Sequence, residues 1–226
     1  MRLTVGLINN QISTQHGGAR NLWRYFDSVG CNYHTIDYRT LQSPRGQLVD
    51  EVDCLILTGT DEPTWKEPSP YADEMALIRR YAKPILGICG GHQILALAYG
   101  GKLSALPEPI YGRTRVARTA ETPLFDGLES VFVAFTKHQY VVAEAPMPFR
   151  LTARSELTGS VYAMEHENKF GVQFHPERRN DGTILLNNFL RIAKREKRRR
   201  EGRDEMHSTI PPAPGLVVDA LRRPGS

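Results

Sequence analysis

The sequence predicts an α/β fold, with a mostly parallel central sheet, helices on both faces and a small antiparallel layer. Three observations carry that expectation. Strand and helix patterns alternate through the first half of the chain, which argues for parallel strands joined by helices. Among the strand-like runs there, PILGIC is a short buried strand, as strands of a parallel sheet covered on both faces are. From about residue 115 the helical patterns give way to short strands separated by turn residues, the signature of antiparallel pairing.

In chain order, RLTVGLIN (2–9) is a β-rich run. GARNLWRYFDSVG (18–30) places Leu22, Tyr25 and Phe26 at helical spacing and stops at a glycine. NYHTIDY (32–38) and DCLILTG (53–59) read as strands, and YADEMALIRRYA (71–82) as a helix halted by Pro84. PILGIC is a short buried strand, and HQILALAYGG a helix closed by Gly100 and Gly101. TRVAR, SVFVAFTKHQ, FRLTAR, GSVYAMEHE and KFGVQFH supply the antiparallel layer, the last returning to the main sheet. Residues 181–201 form a helix capped by Asp181 or Thr183, with Ile184, Leu185, Phe189, Ile192 and Ala193 turned inward.

A chain of 226 residues that is 40% hydrophobic can bury one sizeable core. Residues 1–194 are expected to be that domain, and 195–226 a basic helix end with a proline-containing, disordered tail. The longest apolar stretch, Ile94 to Tyr99, is far short of the roughly 18 residues that cross a bilayer. No extended apolar signal region opens the chain, so a cytoplasmic protein with no membrane partner is expected. Cys31, Cys54 and Cys89 form no close pair, which suggests neither a disulfide framework nor a zinc ribbon; Cys31 and Cys54 read as core residues. The net charge of +4 is local, because residues 194–203 hold seven Lys/Arg and two Glu. That run reads as a solvated helix end. Without interleaved aromatics it is a poor base-stacking surface, so no nucleic-acid partner is expected.

Cys89 is the residue that calls for chemistry. Gly87-Ile88-Cys89-Gly90-Gly91 fits the elbow in which a strand turns sharply into a helix and presents a nucleophile between glycines. At the start of a helix the thiol meets positive dipole ends, and the N–H of Gly90 is placed to face an oxyanion. GVQFHPERR supplies the partners: His175 ends a strand-like run, and Glu177 follows at a spacing that lets its carboxylate hold one ring nitrogen while the other faces the thiol. Cys89, His175 and Glu177 form the candidate triad. A metal site from Cys89, His92, His175 and Glu177 would leave the elbow glycines unexplained, so no metal is assigned. No phosphate-binding Gly-rich loop occurs, and no cofactor is expected. His138 reads equally as a partner-facing residue or an ordinary strand histidine, and His16 in a glycine turn is given no role.

PILGICGGHQ together with GVQFHPE strongly resembles the class I, triad-type glutamine amidotransferases, across about residues 3–194. The resemblance is closest to the glutaminase subunits of guanosine monophosphate synthetases. It implies that Cys89 attacks the amide carbon of L-glutamine, that His175 protonates the departing ammonia and then serves as base for water, and that Glu177 orients His175. It further implies that Thr60 and Gly90 form the oxyanion hole, that Gln93 contacts glutamine, and that Gly59 and Tyr111 line its pocket, Tyr111 within a covering loop, IYGRTRV. The implied partner is a separate synthetase that receives ammonia. Two departures stand out: Thr60 occupies a position that is usually glycine, and Lys137 and Tyr140 replace the serine and aspartate of a Ser-His-x-Asp stretch. Two other readings remain: a partner-independent γ-glutamyl amide hydrolase, and a non-catalytic regulatory subunit.

Overall fold

The protein is described here by a computed structural model covering residues 2–12, 17–67, 69–178 and 181–208. Its elements in chain order are β1 (Thr4–Asn9), α1 (Gly17–Val29), β2 (Asn32–Asp37), a short α2 (Leu48–Glu51), β3 (Cys54–Leu57), α3 (Ala72–Arg80), β4 (Ile85–Ile88) and α4 (Gly90–Ala98). There follow β5 (Leu103–Arg118), β6 (Val131–Val142), β7 (Arg150–Ser155), β8 (Val161–His166), β9 (Lys169–Val172) and α5 (Gly182–Ser208).

The expected α/β architecture forms. Strands β2, β1, β3, β4 and β9 lie side by side in parallel. The antiparallel strands extend the same sheet in the order β9, β8, β6, β5, β7, and β7 also pairs with β8. KFGVQFH does return to the main sheet, with β9 held between β4 and β8.

Strand alternation explains the two helical layers. Successive side chains point to opposite faces, so Val5, Leu7, Ile56, Leu86 and Ile88 pack with Leu22 and Phe26 of α1 and Leu185 and Phe189 of α5. Ile8, Leu55, Leu57 and Ile85 pack on the other side with Leu77 and Ile78 of α3 and Ile94 and Leu95 of α4. Every residue of β3 and β4 is buried.

Three boundaries differ from the sequence reading. Strand β5 starts at Leu103, well before TRVAR, and includes IYGRTRV, which pairs with β6 and is no separate loop. Pro107 and Pro109, which lack N–H donors, hid this strand; they sit where pairing is interrupted between Ala105 and Ile110. Helix α5 runs through Gly202 to Ser208, since one glycine among good helix formers costs only about 1 kcal/mol. Helix α5 begins at Gly182; Asp181 O accepts from the Ile184 N–H, while the Asp181 side chain accepts from the Val133 N–H of β6; Ile184 is exposed, and Leu186 takes its place in the core. His16 and the tail past residue 208 lie outside the described residues. No helix among the described residues is long and apolar enough to cross a membrane.

Candidate active site

The chain segments that leave β1, β3, β4 and β9 converge at one edge of the sheet. These are the carboxyl ends of adjacent parallel strands, where open α/β sheets place their ligands. Cys89 stands between β4 and α4 with φ 53° and ψ −104°, a region non-glycine residues rarely occupy. The turn is held from both sides: the Cys89 N–H donates to Val172 O at 2.8 Å, and the Gly91 N–H to Thr58 O at 3.0 Å. It also requires its glycines. A Cβ on Gly87 would lie 2.5 Å from Gly91 O, and one on Gly91 would lie 2.5 Å from Leu57 O.

The thiol opens into a cavity of 410 Å³. Its sulfur lies 3.7 Å from Lys137 O, to which the S–H donates, and 3.7 Å from Gln173 Nε2, which donates to the sulfur. Beneath it are the first N–H groups of α4, which have no intrahelical acceptor and carry the positive end of the helix dipole.

His175 follows β9, and its N–H donates to Phe135 O at 2.7 Å. The next three residues, Pro176–Arg178, form a 3-10 turn that brings Glu177 Oε1 to 2.8 Å from His175 Nδ1. Gly59 packs against both halves of the triad: a Cβ there would lie 3.5 Å from His175 Cε1 and 3.7 Å from Cys89 Cβ. Burial disfavours the imidazolium, but the Glu177 carboxylate and the Cys89 sulfur outweigh it and raise the His175 pKa well above its ordinary value. Glu177 is nearly buried, and α1 begins beside it, since a Cβ on Gly18 would be 3.6 Å from Glu177 Oε1. A helix start favours a carboxylate.

Cys89, Thr60, Gly90 and Gln93 all line the cavity, joined by Asp61, Glu62 and Lys137. Thr60 and Gly90 touch, and a Cβ on Gly90 would fall 2.7 Å from Thr60 N. Gln93 is committed to protein groups: it accepts from Thr64 Oγ1 at 2.7 Å and donates to Tyr140 O at 2.7 Å and Gln173 Oε1 at 3.4 Å. Tyr111 is not brought to the cavity; it lies on β5, 72% exposed, edge-on to Phe135.

His138 does line the cavity, with Nε2 3.1 Å from Tyr162 Oη, and burial together with His175 lowers its pKa to about 4. His92 is fully buried, and burial with His138 nearby lowers it to about 3. It packs against β9, where a Cβ on Gly171 would be 2.4 Å from its Nδ1. Tyr140 packs its ring 5.6 Å from that of Trp65, and both line the cavity.

Two contributors were not found from sequence. Gln173 sat unremarked inside GVQFHPE, and the start of α1 at Gly17-Gly18 gave no sign that it would meet Glu177.

The family model for "Glutamine amidotransferase class-I" matches residues 12–192. An aminodeoxychorismate synthase of Streptomyces griseus is 36% identical over 173 residues, covering 74% of this chain and 24% of that protein. One subunit of the GMP synthase (glutamine-hydrolyzing) of Ignicoccus hospitalis is 35% identical over 149 residues, covering 64% of this chain and 78% of that one. The chain thus spans about a quarter of the first relative's length. Among solved structures, a Thermoplasma acidophilum protein described as one of the subunits of a GMP synthase superposes with a TM-score of 0.78 at 25% identity, over 89% of this chain and 98% of that one. A family match over most of the chain joins an elbow cysteine and a paired histidine and glutamate that meet at the sheet's carboxyl edge: the chain belongs to the class I glutamine amidotransferase family.

Proposed function

We propose that this chain hydrolyses the side-chain amide of L-glutamine and passes the ammonia to a separate synthetase. The convergence of Cys89 with the His175–Glu177 pair supports this reading most. Asp61, Glu62 and Lys137 line the cavity, and charged residues of both signs around it suit a zwitterionic amino acid.

The Cys89 thiolate attacks the amide carbon, and the carbonyl electron pair moves onto oxygen, which faces the N–H groups of Gly90 and Thr60. Imidazolium His175 gives its proton to the amide nitrogen as the C–N bond breaks, leaving a γ-glutamyl thioester, ammonia and a neutral imidazole. Water then attacks the thioester while His175 takes its proton. Collapse expels the thiolate, and glutamate leaves. Glu177 holds Nδ1 throughout, so that Nε2 faces the reacting atoms. The matched region is part of a longer synthase in one relative and most of one synthase subunit in another; that arrangement supports a partner synthetase as the ammonia acceptor.

Glutamate release from glutamine, measured for the native chain beside Cys89→Ala, tests the reading. Release that is lost in the variant is expected. Turnover that persists in Cys89→Ala would overturn the thioester route, and native protein that stays silent even with an added synthetase would overturn glutamine as substrate.

A further inference from the structure

Behind the cavity, a buried polar chain runs from α3 to the oxyanion segment. Glu74 and Asn10 are both fully buried. Asn10 follows β1; its Nδ2 donates to Glu74 Oε1 at 3.1 Å and to Thr58 O at 3.3 Å. Its backbone N–H donates to Thr58 Oγ1 at 2.9 Å, and the Thr58 hydroxyl donates to Gly59 O at 2.9 Å. Thr58 O also accepts the Gly91 N–H at 3.0 Å. Thr58 is therefore a junction: one hydrogen-bonded residue ties the elbow that carries Cys89 to the strand end that leads into Gly59 and Thr60.

Two buried atoms of this chain lack partners, Glu74 Oε2 and Asn10 Oδ1. They belong to the two groups already joined through Oε1 and Nδ2. A carboxylate here would be a buried charge with no ion pair among the described residues, an arrangement proteins avoid. A neutral carboxylic acid has one O–H, and Asn10 Oδ1 is the orphan acceptor on its bonded neighbour.

We propose that Glu74 is a positioning residue: as a neutral acid it grips both ends of the Asn10 amide, and through Asn10 and Thr58 it holds the Gly59–Thr60 oxyanion segment in register with the Cys89 elbow. The part concerning the oxyanion rests on the function proposed above. Burial raises the Glu74 pKa to about 8, with the Asn10 hydrogen bond opposing it. Tyr71 lies beside it, with the Tyr38 ring 4.9 Å from that of Tyr71; farther out, Tyr38 Oη reaches Glu62 at 3.5 Å and the Arg39 guanidinium lies over the Tyr38 ring at 5.8 Å.

The test compares the native chain with Glu74→Gln and Glu74→Ala. Glutamine keeps an acceptor and a donor in the same places without titrating. Glu74→Gln is expected to keep the native kcat within about twofold and to hold it as pH rises from 7 to 9, while native kcat declines through about 8. Glu74→Ala is expected to lower kcat about tenfold or more with KM little changed, since loss of an oxyanion donor costs on the order of 10²–10³. Amide hydrogen exchange is expected to accelerate at Asn10, Thr58 and Gly91 in Glu74→Ala and to stay native in Glu74→Gln. Exchange unchanged at those three amides would overturn the proposal, whether or not the protein turns over glutamine. Identical pH profiles for the native chain and Glu74→Gln would overturn it too, even if Glu74→Ala failed to fold. Absence of native turnover beside altered exchange would support the positioning role and count against the glutaminase reading alone.

Discussion

The side-chain amide of Gln173 donates to the sulfur of Cys89 at 3.7 Å, while its own carbonyl oxygen accepts from Gln93 at 3.4 Å. Gln173 is fully buried, so its amide cannot turn to solvent. Gln93 in turn is fixed by Thr64 and Tyr140. The N–H that reaches the sulfur is thus oriented by a relay of amides ending on both sides of the cavity.

That relay gives a first prediction. A hydrogen bond to a charged group is worth about 1.5–3 kcal/mol, so Gln173→Leu is expected to slow glutamine turnover roughly tenfold or more. Alkylation of Cys89 by iodoacetamide at fixed pH should slow as well. A variant that loses turnover but alkylates at the native rate would show that Gln173 supports the cavity wall and leaves the thiolate unaffected.

The Glu177 carboxylate and the raised pKa of His175 give a second. Because the folded imidazole has its pKa raised, the stability it contributes is fully present below its ordinary value near 6.5 and is lost as pH climbs through the higher folded one. Glu177→Gln removes the carboxylate charge, so the contribution should shrink and its loss should be complete nearer neutrality. Melting temperatures from pH 6 to 10 should lie furthest apart near pH 6 and converge between native and variant on the alkaline side, and kcat should fall by on the order of 10²–10⁴. Parallel melting curves across that range would contradict the ion pair.

Backbone strain at the nucleophile supports a third. Cys89 holds φ 53°, which costs a residue with a Cβ on the order of 1–3 kcal/mol. Cys89→Ala keeps that Cβ and Cys89→Gly removes it. Both should abolish turnover, and the glycine variant should melt about 2–4 °C above the alanine one for each kcal/mol relieved. If Cys89→Ala melts higher, the elbow is not strained at this residue.

How far the sequence foretold this site depends on whether each part is contiguous. Gly87 to Gly91 and His175 to Glu177 each carry their geometry in a few residues, so the elbow and the base could be read directly. Gln173 could not, because its partner Cys89 lies 84 positions away and an amide in a strand has no periodic signature. Glu74 looked like an ordinary acid in the first turn of α3, where helices favour negative charge; only tertiary packing shows it fully buried against Asn10. The parallel strands were legible from apolar runs, whereas β5 was masked by Pro107 and Pro109. Tyr111 was assigned by resemblance to a covering loop, and pairing with Lys137 on β6 places it on a strand, outside the cavity lining.

The contact between Gly90 and Thr60 yields the last prediction. A Cβ on Gly90 would lie 2.5 Å from Thr60 Cγ2, 2.5 Å from Thr60 Oγ1 and 2.7 Å from Thr60 N. Gly90→Ala must therefore push the Thr60 segment away and spread the two N–H groups proposed to hold the oxyanion. Loss of one such donor costs on the order of 10²–10³ in kcat, and we predict a loss of about that size with little change in KM. Two of the three clashes come from the Thr60 side chain, so Thr60→Gly in the same chain should recover part of the activity. The clash with Thr60 N remains, which keeps the rescue incomplete. The four kcat values of native, both single variants and the double variant measure the coupling directly. Additive losses would mean that Gly90 is required by the turn alone, and that Thr60 takes no part in the oxyanion hole.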